Sequence, residues 1–209
     1  MKLVDVSIRE FIKQLGTGNP TPGGGSVAAL CGALGSALSS MVSELTLGRE
    51  RLKHSWQSME EVKQGAGTLS NRFLNLTQQD TEAYEGVIAA LRLPKETEEQ
   101  KAARHAATQE AMEKAANIPL ETLRSAETLM EIAKVAVERG NPATITDAAA
   151  AAQVARTAAA VASYNVLVNL PDIEDEQFVA ESRKEVGEIL ERVNAIARKT
   201  EECVIARLL

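Results

Sequence analysis

The chain has 209 residues, a net charge of −6, a quarter of its residues charged and only 3% aromatic. That length buries a core of its own, and we read residues 1–209 as one domain. The acidic balance excludes a nucleic-acid partner, whose phosphates need a basic face. With so few aromatic side chains and so much alanine, the core is expected to come from close helix contacts rather than large groups.

The opening residues MKLVDVSIREF have neither the apolar stretch nor the cleavage site of a signal peptide, which points to a cytoplasmic protein. Ser7 and Glu10 form a capping-box pair, with Ile8, Phe11, Ile12 and Leu15 on one face and Gly16 as the stop, so a short helix is predicted. The stretch 17–25 is a loop by composition. Ser26 is a good N-cap for a helix over 26–47, with Gly48 after its end. A third helix, 55–92, is about 55 Å long at 1.5 Å per residue. Leu93-Pro94-Lys95 breaks it. The capping pair Thr97 and Gln100 opens a helix to about residue 117, Pro119 interrupts or kinks the next stretch, and another helix covers 120–139. Gly140-Asn141-Pro142 is a stop. Thr146 or Asp147 caps an alanine-rich helix to Asn169, Pro171 ends it, and a charged amphipathic helix follows. No stretch alternates as a strand does. The predicted fold is all-α: a bundle of long antiparallel helices.

The run 27–43 is uncharged, yet it is short of the roughly 20 apolar residues of a membrane span and contains Ser36, Ser39 and Ser40. A buried central helix is expected instead, apolar all round. The alanine tract 148–162 has the same character, and two such helices need more cover than one thin bundle provides. A dimer joined through their small-residue faces is therefore expected.

Cys31 and Cys203 have no redox or ligand spacing and are expected to be buried free thiols. His54 and His105 sit in polar surroundings. No cluster of His, Cys and carboxylate has metal spacing, so no metal is expected. The triple glycine Gly23-Gly24-Gly25 is not a Walker loop, because no Gly-Lys-Ser/Thr follows. It is either a tight turn into a crowded helix or a cradle where backbone N–H groups and a helix start meet an anionic or carbonyl oxygen. Asp80 lies four residues before Tyr84, on one helix face. Asp147, just after the Gly-Asn-Pro turn, is either a helix-terminal charge or a reactive acid. Asn165 and Asn169, four apart on an apolar helix, are either bundle hydrogen bonds or ligand contacts. Arg49 and Arg51 are solvated or meet an anionic tail.

The segments PTPGGGSVAALCGALGSALSSMV, LTLGR, LPKETEEQKAAR, IPL, GNPATITDA and NVLVNLPDIEDEQF, in that order, resemble the cyclodeaminase/cyclohydrolase family acting on tetrahydrofolate. The likeness runs from about Ile8 to Phe178. It implies an all-helical homodimer, a folate pocket near the glycine-rich loop, and no cofactor beyond the tetrahydrofolate substrate. By motif, Gly23 to Ser26 fall on that loop together with Pro22, Asp147 on the family's acid, and Asn165 and Asn169 on its Asn-Val-Leu-x-Asn pattern. Thr146 stands where the family usually has Ser, and Glu44 where it often has Asn. A reaction of this kind needs one group to take a proton and another to give one, and Asp147 and Asp80 are the expected acid–base pair. Pro22, Gly23, Gly24, Gly25, Ser26, Arg49, Tyr84, Asn141, Thr146, Asn165 and Asn169 are the expected substrate contacts. Methenyltetrahydrofolate cyclohydrolase is the expected activity, formiminotetrahydrofolate cyclodeaminase the alternative, and a non-catalytic folate-binding or dimerisation module the third possibility.

Overall fold

A computed structural model describes residues 2–209. Six α-helices follow one another: α1 (Ile8–Leu15), α2 (Gly24–Leu47), α3 (Trp56–Leu91), α4 (Glu98–Arg139), α5 (Ile145–Asn169) and α6 (Glu176–Leu208). No strand occurs among the described residues. Helices α2 to α5 run up, down, up, down. α2 packs on α3 and α5, α4 closes the square against α3 and α5, and α6 lies in the groove between α4 and α5.

Glycine and alanine bring these helices together. A Cβ on Gly32 would stand 2.4 Å from the Phe73 ring, and one on Gly35 would stand 2.9 Å from Val154. Ala155, Ala158, Ala159 and Ala162 on α5 are fully buried, with Phe73, Leu123, Leu129 and Met130 as the large core groups. The hydroxyls of Ser36 and Ser39 are also buried, and each donates to the carbonyl four residues back, on Gly32 and Gly35. That bond lets a hydroxyl enter an apolar core without an unpaired donor.

Several expectations are corrected. α2 begins at Gly24 with Gly23 as N-cap, not at Ser26. α5 begins at Ile145 after Thr144, so Thr146 and Asp147 lie inside its first turn and neither is the cap. Thr97 and Gln100 do form the reciprocal capping box, but the two helices expected on either side of Pro119 are one helix of 42 residues. Both cysteines are half-buried rather than buried, and burial pushes the Cys31 thiol up from its ordinary pKa. On α1 only Phe11 of the predicted apolar face is buried, while Ile8 is 81% exposed.

The faces expected to join two chains are also inverted. Gly32, Gly35, Ser36 and Ser39 face inward, where close packing needs them. The larger groups face out: Leu34 is 53% exposed on α2, and Tyr164 and Val168 are 66% and 69% exposed on α5. α2 is long and apolar enough to cross a membrane, but 56% of its most apolar stretch is buried inside the fold.

Candidate active site

At the end of the bundle where α2 starts and α5 finishes, the helices splay around a cleft of about 320 Å³. Gly23, Gly24 and Gly25 form one wall, Asp80 and Tyr84 of α3 another, and Asn165 and Asn169 of α5 a third. Ala115 of α4 lies beside Asn169.

Asp80 is fixed by the start of α2. The Ser26 hydroxyl donates to Asp80 Oδ2 at 2.8 Å, and the Ser26 backbone N–H also donates to the carboxylate. The first N–H groups of a helix lack partners within it. Since Gly23 offers no side chain, Asp80 supplies the missing acceptor from a neighbouring helix. Burial pushes the Asp80 carboxyl above its ordinary pKa, against the lowering effect of the two Ser26 bonds. The result is a partly desolvated carboxylate held at a cleft wall, an arrangement suited to proton transfer.

Of the three glycines, none of which has a positive φ, Gly25 serves this placement. A Cβ on Gly25 would lie 1.9 Å from Asp80 Oδ1. Gly24 is looser, with the Asn165 Nδ2 at 3.4 Å from its would-be Cβ. Asn165 Nδ2 donates to Val161 O at 2.8 Å, and Asn169 Nδ2 donates to Asn165 O at 2.9 Å and to Ala115 O at 3.1 Å.

The other predicted residues lie elsewhere in the single chain. Pro22 is buried beside the loop. Asn141 is consumed in a joint: its backbone N–H donates to Thr46 Oγ1, its Nδ2 to Leu45 O, and its Oδ1 accepts from Ala143. Thr146 is exposed and Asp147 half-buried, both in the first turn of α5. Eighteen residues of helix separate Asp147 from Asn165, about 27 Å, so one chain does not bring Asp147 and Asp80 together. Arg49 follows the far end of α2, and Glu44 pairs with Lys63 at the surface.

The sequence reading missed Thr21, Met112, Ala115 and Asp172, which also line the cleft, and Arg92, which lines a groove that shares Pro20, Thr21 and Tyr84 with it. Only Pro119, a proline inside a helical pattern, hinted at Ala115. Among the described residues no group of His, Cys, Asp and Glu is arranged to hold a metal.

An up-down bundle with a carboxylate seated on a glycine-rich helix start at one end defines a class of all-helical protein with a polar end-cleft. Within that class, the family model described as formiminotransferase-cyclodeaminase matches residues 7–188, and the chain belongs to that family. A methenyltetrahydrofolate cyclohydrolase of Methylorubrum extorquens is 34% identical over 202 residues, covering 97% of each chain. A formimidoyltransferase-cyclodeaminase of Rattus norvegicus is 32% identical over 93% of this chain, which spans 36% of that longer protein. The crystal structure of a formiminotetrahydrofolate cyclodeaminase from Thermotoga maritima matches with a TM-score of 0.88 and 25% identity, over 98% of both chains.

Proposed function

We propose that this chain is a folate one-carbon enzyme that hydrolyses 5,10-methenyltetrahydrofolate to 10-formyltetrahydrofolate in the cleft at Gly23–Gly25. The observation that carries this is Asp80: a carboxylate with raised pKa, fixed by Ser26, at the wall of the end-cleft. The methenyl carbon lies in a cationic amidinium, which an ionised carboxylate attracts. Asp80 takes a proton as water adds to that carbon, forming a tetrahedral carbon bonded to N5, N10 and oxygen. The carbon–N5 bond then breaks, N5 takes a proton, and the oxygen loses its own to become the formyl carbonyl. One proton is released overall. The ring of Tyr84 offers a face to the aminobenzoyl group, and Arg92 in the adjoining groove suits the glutamate carboxylates better than Arg49 at the far end of the bundle.

The end-to-end match to the Methylorubrum cyclohydrolase supports this reading. The end-to-end match to the Thermotoga cyclodeaminase supports a second, in which N10 attacks the formimino carbon on N5 and ammonia leaves. Both pass through the same kind of tetrahedral carbon. Incubating the protein separately with methenyl- and formimino-tetrahydrofolate decides between them. Loss of methenyl absorbance supports hydrolysis, its appearance from the formimino compound supports deamination, and no change with either excludes both.

The working unit we propose is a homodimer, and in it Asp147 reaches the cleft. Ala150, Val154, Thr157, Val161, Tyr164 and Val168, spaced by four and three residues, form a half-buried to exposed stripe along α5. Such spacing suits helix pairing. Paired antiparallel with its copy, the stripe sets Ala150 against Val168 and Val154 against Tyr164. That register carries the partner subunit's Asp147 to the level of residue 171, between Asn169 and Asp172 at the cleft rim. The two acids would then share one site, each free to take a different proton.

Asp147→Asn is expected to lower turnover by about 10². The stability cost should be small, because at the third helical position it removes only a charge favoured by the dipole, worth about 0.3–1 kcal/mol. Two inactive variants co-expressed in equal amounts, Asp147→Asn and Asp80→Asn, should regain about a quarter of wild-type activity, since half of randomly paired dimers contain one intact site of two. Co-expressed material no more active than either variant alone would sink the shared site.

A further inference from the structure

Pro119 stands in the middle of α4, where a proline costs roughly 3 kcal/mol because its nitrogen has no proton to give the carbonyl four residues back. That carbonyl is Ala115 O. It accepts instead from Asn169 Nδ2 at 3.1 Å, across from α5. The same Nδ2 donates its second proton to Asn165 O at 2.9 Å. Both amide protons of Asn169 are thereby spent on backbone carbonyls. Its Oδ1 can only accept, accepts no hydrogen bond among the described residues, is not enclosed in the core, and belongs to a side chain lining the cleft.

We propose that Pro119 is a positioning residue: by stripping Ala115 O of its helical donor, it pins the Asn169 amide with Oδ1 turned to the cleft, where it receives an N–H donor of the ligand. Under the folate reading, on which this identification of the ligand rests, the donor is an N–H or amino group on the pterin edge. The polarity of the free end follows from donor counting, and its place at the cleft from the lining. An amide whose two protons are both engaged has nothing left to donate, so it selects a ligand donor and repels a ligand acceptor. Ala115 is the hinge of the arrangement, since it carries the freed carbonyl and also lines the cleft. A residue with an N–H at 119 would return the helical bond to Ala115 O, compete there with the Asn169 amide, and loosen its hold.

The test is a cycle of Pro119→Ala, Asn169→Ala and the double variant in the full chain, read by kinetics with methenyltetrahydrofolate and by the NMR signals of the Asn169 side-chain amide. Pro119→Ala should raise KM roughly tenfold, the size of one neutral hydrogen bond, with kcat within about twofold and the melting temperature unchanged or higher. Asn169→Ala should raise KM by at least as much. The double variant should be no worse than Asn169→Ala, because Pro119 acts only through that amide. A Pro119→Ala penalty that persists undiminished without Asn169 would show that the proline shapes the cleft by bending α4, and would overturn the proposal.

The amide signals answer independently of the substrate. In the wild type both Asn169 side-chain protons should exchange slowly, and in Pro119→Ala at least one should exchange faster. Unchanged exchange would overturn the positioning role. Altered exchange in a protein inactive on both folates would leave the coupling standing and the folate reading fallen.

Discussion

Asp80→Asn is expected to lower turnover by about 10² to 10⁴, the range removed with a general acid or base, while leaving the fold intact. The substitution keeps the shape of the side chain and an oxygen to accept from Ser26 Oγ. It removes the group that titrates. Because burial raises the Asp80 pKa in the folded chain, the native state holds that proton to higher pH than the unfolded state does. The favourable contribution is therefore fully present below the ordinary carboxylate value of 3.8 and is lost as pH rises through the raised value. At neutral pH the ionised carboxylate costs the fold stability, and the Asn variant should melt no lower than the wild type. Melting curves across pH should show its stability falling less between 3.8 and neutrality. The same titration should appear as the acid limb of the kcat/KM profile, set above the ordinary carboxylate range, because a protonated Asp80 cannot receive a proton from water. An Asn variant with wild-type turnover would remove Asp80 from the chemistry.

Gly25→Ala should be nearly as damaging to turnover, about 10²-fold, for a steric reason. The new methyl would lie 1.9 Å from Asp80 Oδ1 and 2.6 Å from its Cγ, far inside the contact distance of a carbon with either atom. Either the carboxylate rotates off the start of α2, losing both Ser26 bonds, or α2 and α3 separate. Overpacking of this kind costs about 1–3 kcal/mol, so the melting temperature should fall together with the rate. Gly24→Ala is the control, because its Cβ would meet Asn165 at 3.4 Å, close to ordinary contact. Its turnover should stay within a few-fold. If the two alanine variants behave alike, the glycines are merely a turn and Asp80 does not depend on Gly25.

The helices were largely legible before any coordinates because their signals are local. Ser7 does accept from the Glu10 N–H, Thr97 and Gln100 do form a capping box, and Gly16, Gly48 and Gly140 do end helices. Asp80 and Tyr84 do share one face, since a spacing of four on a helix dictates it. The errors fall where a distant residue supplies what the local sequence lacks. Ser26 looked like an N-cap, but its hydroxyl is spent on Asp80, fifty-four residues away, and the same carboxylate serves the helix start that Gly23 leaves bare. Pro119 looked like a break, but α4 continues through it while Asn169 takes up the orphaned carbonyl.

Local signals suffice to show that this chain forms long, closely packed helices, because apolar spacing, caps and stops act within a few residues of one another. The sequence also marked the glycine-rich entry and the two asparagines as unusual, since three glycines disfavour a helix and amides on an apolar helix need partners. Which of these meet is set by the packing of the bundle. Gly25 is small for the sake of Asp80, Asn169 is oriented by Ala115, and Asp147 lies at the opposite end of α5, because contacts between helices depend on how the bundle folds back on itself and not on distance along the chain. The outward turn of Leu34, Tyr164 and Val168 was decided in the same way: on helices apolar all round, composition does not say which side is inside, and the side that lets backbones approach is the side that is buried.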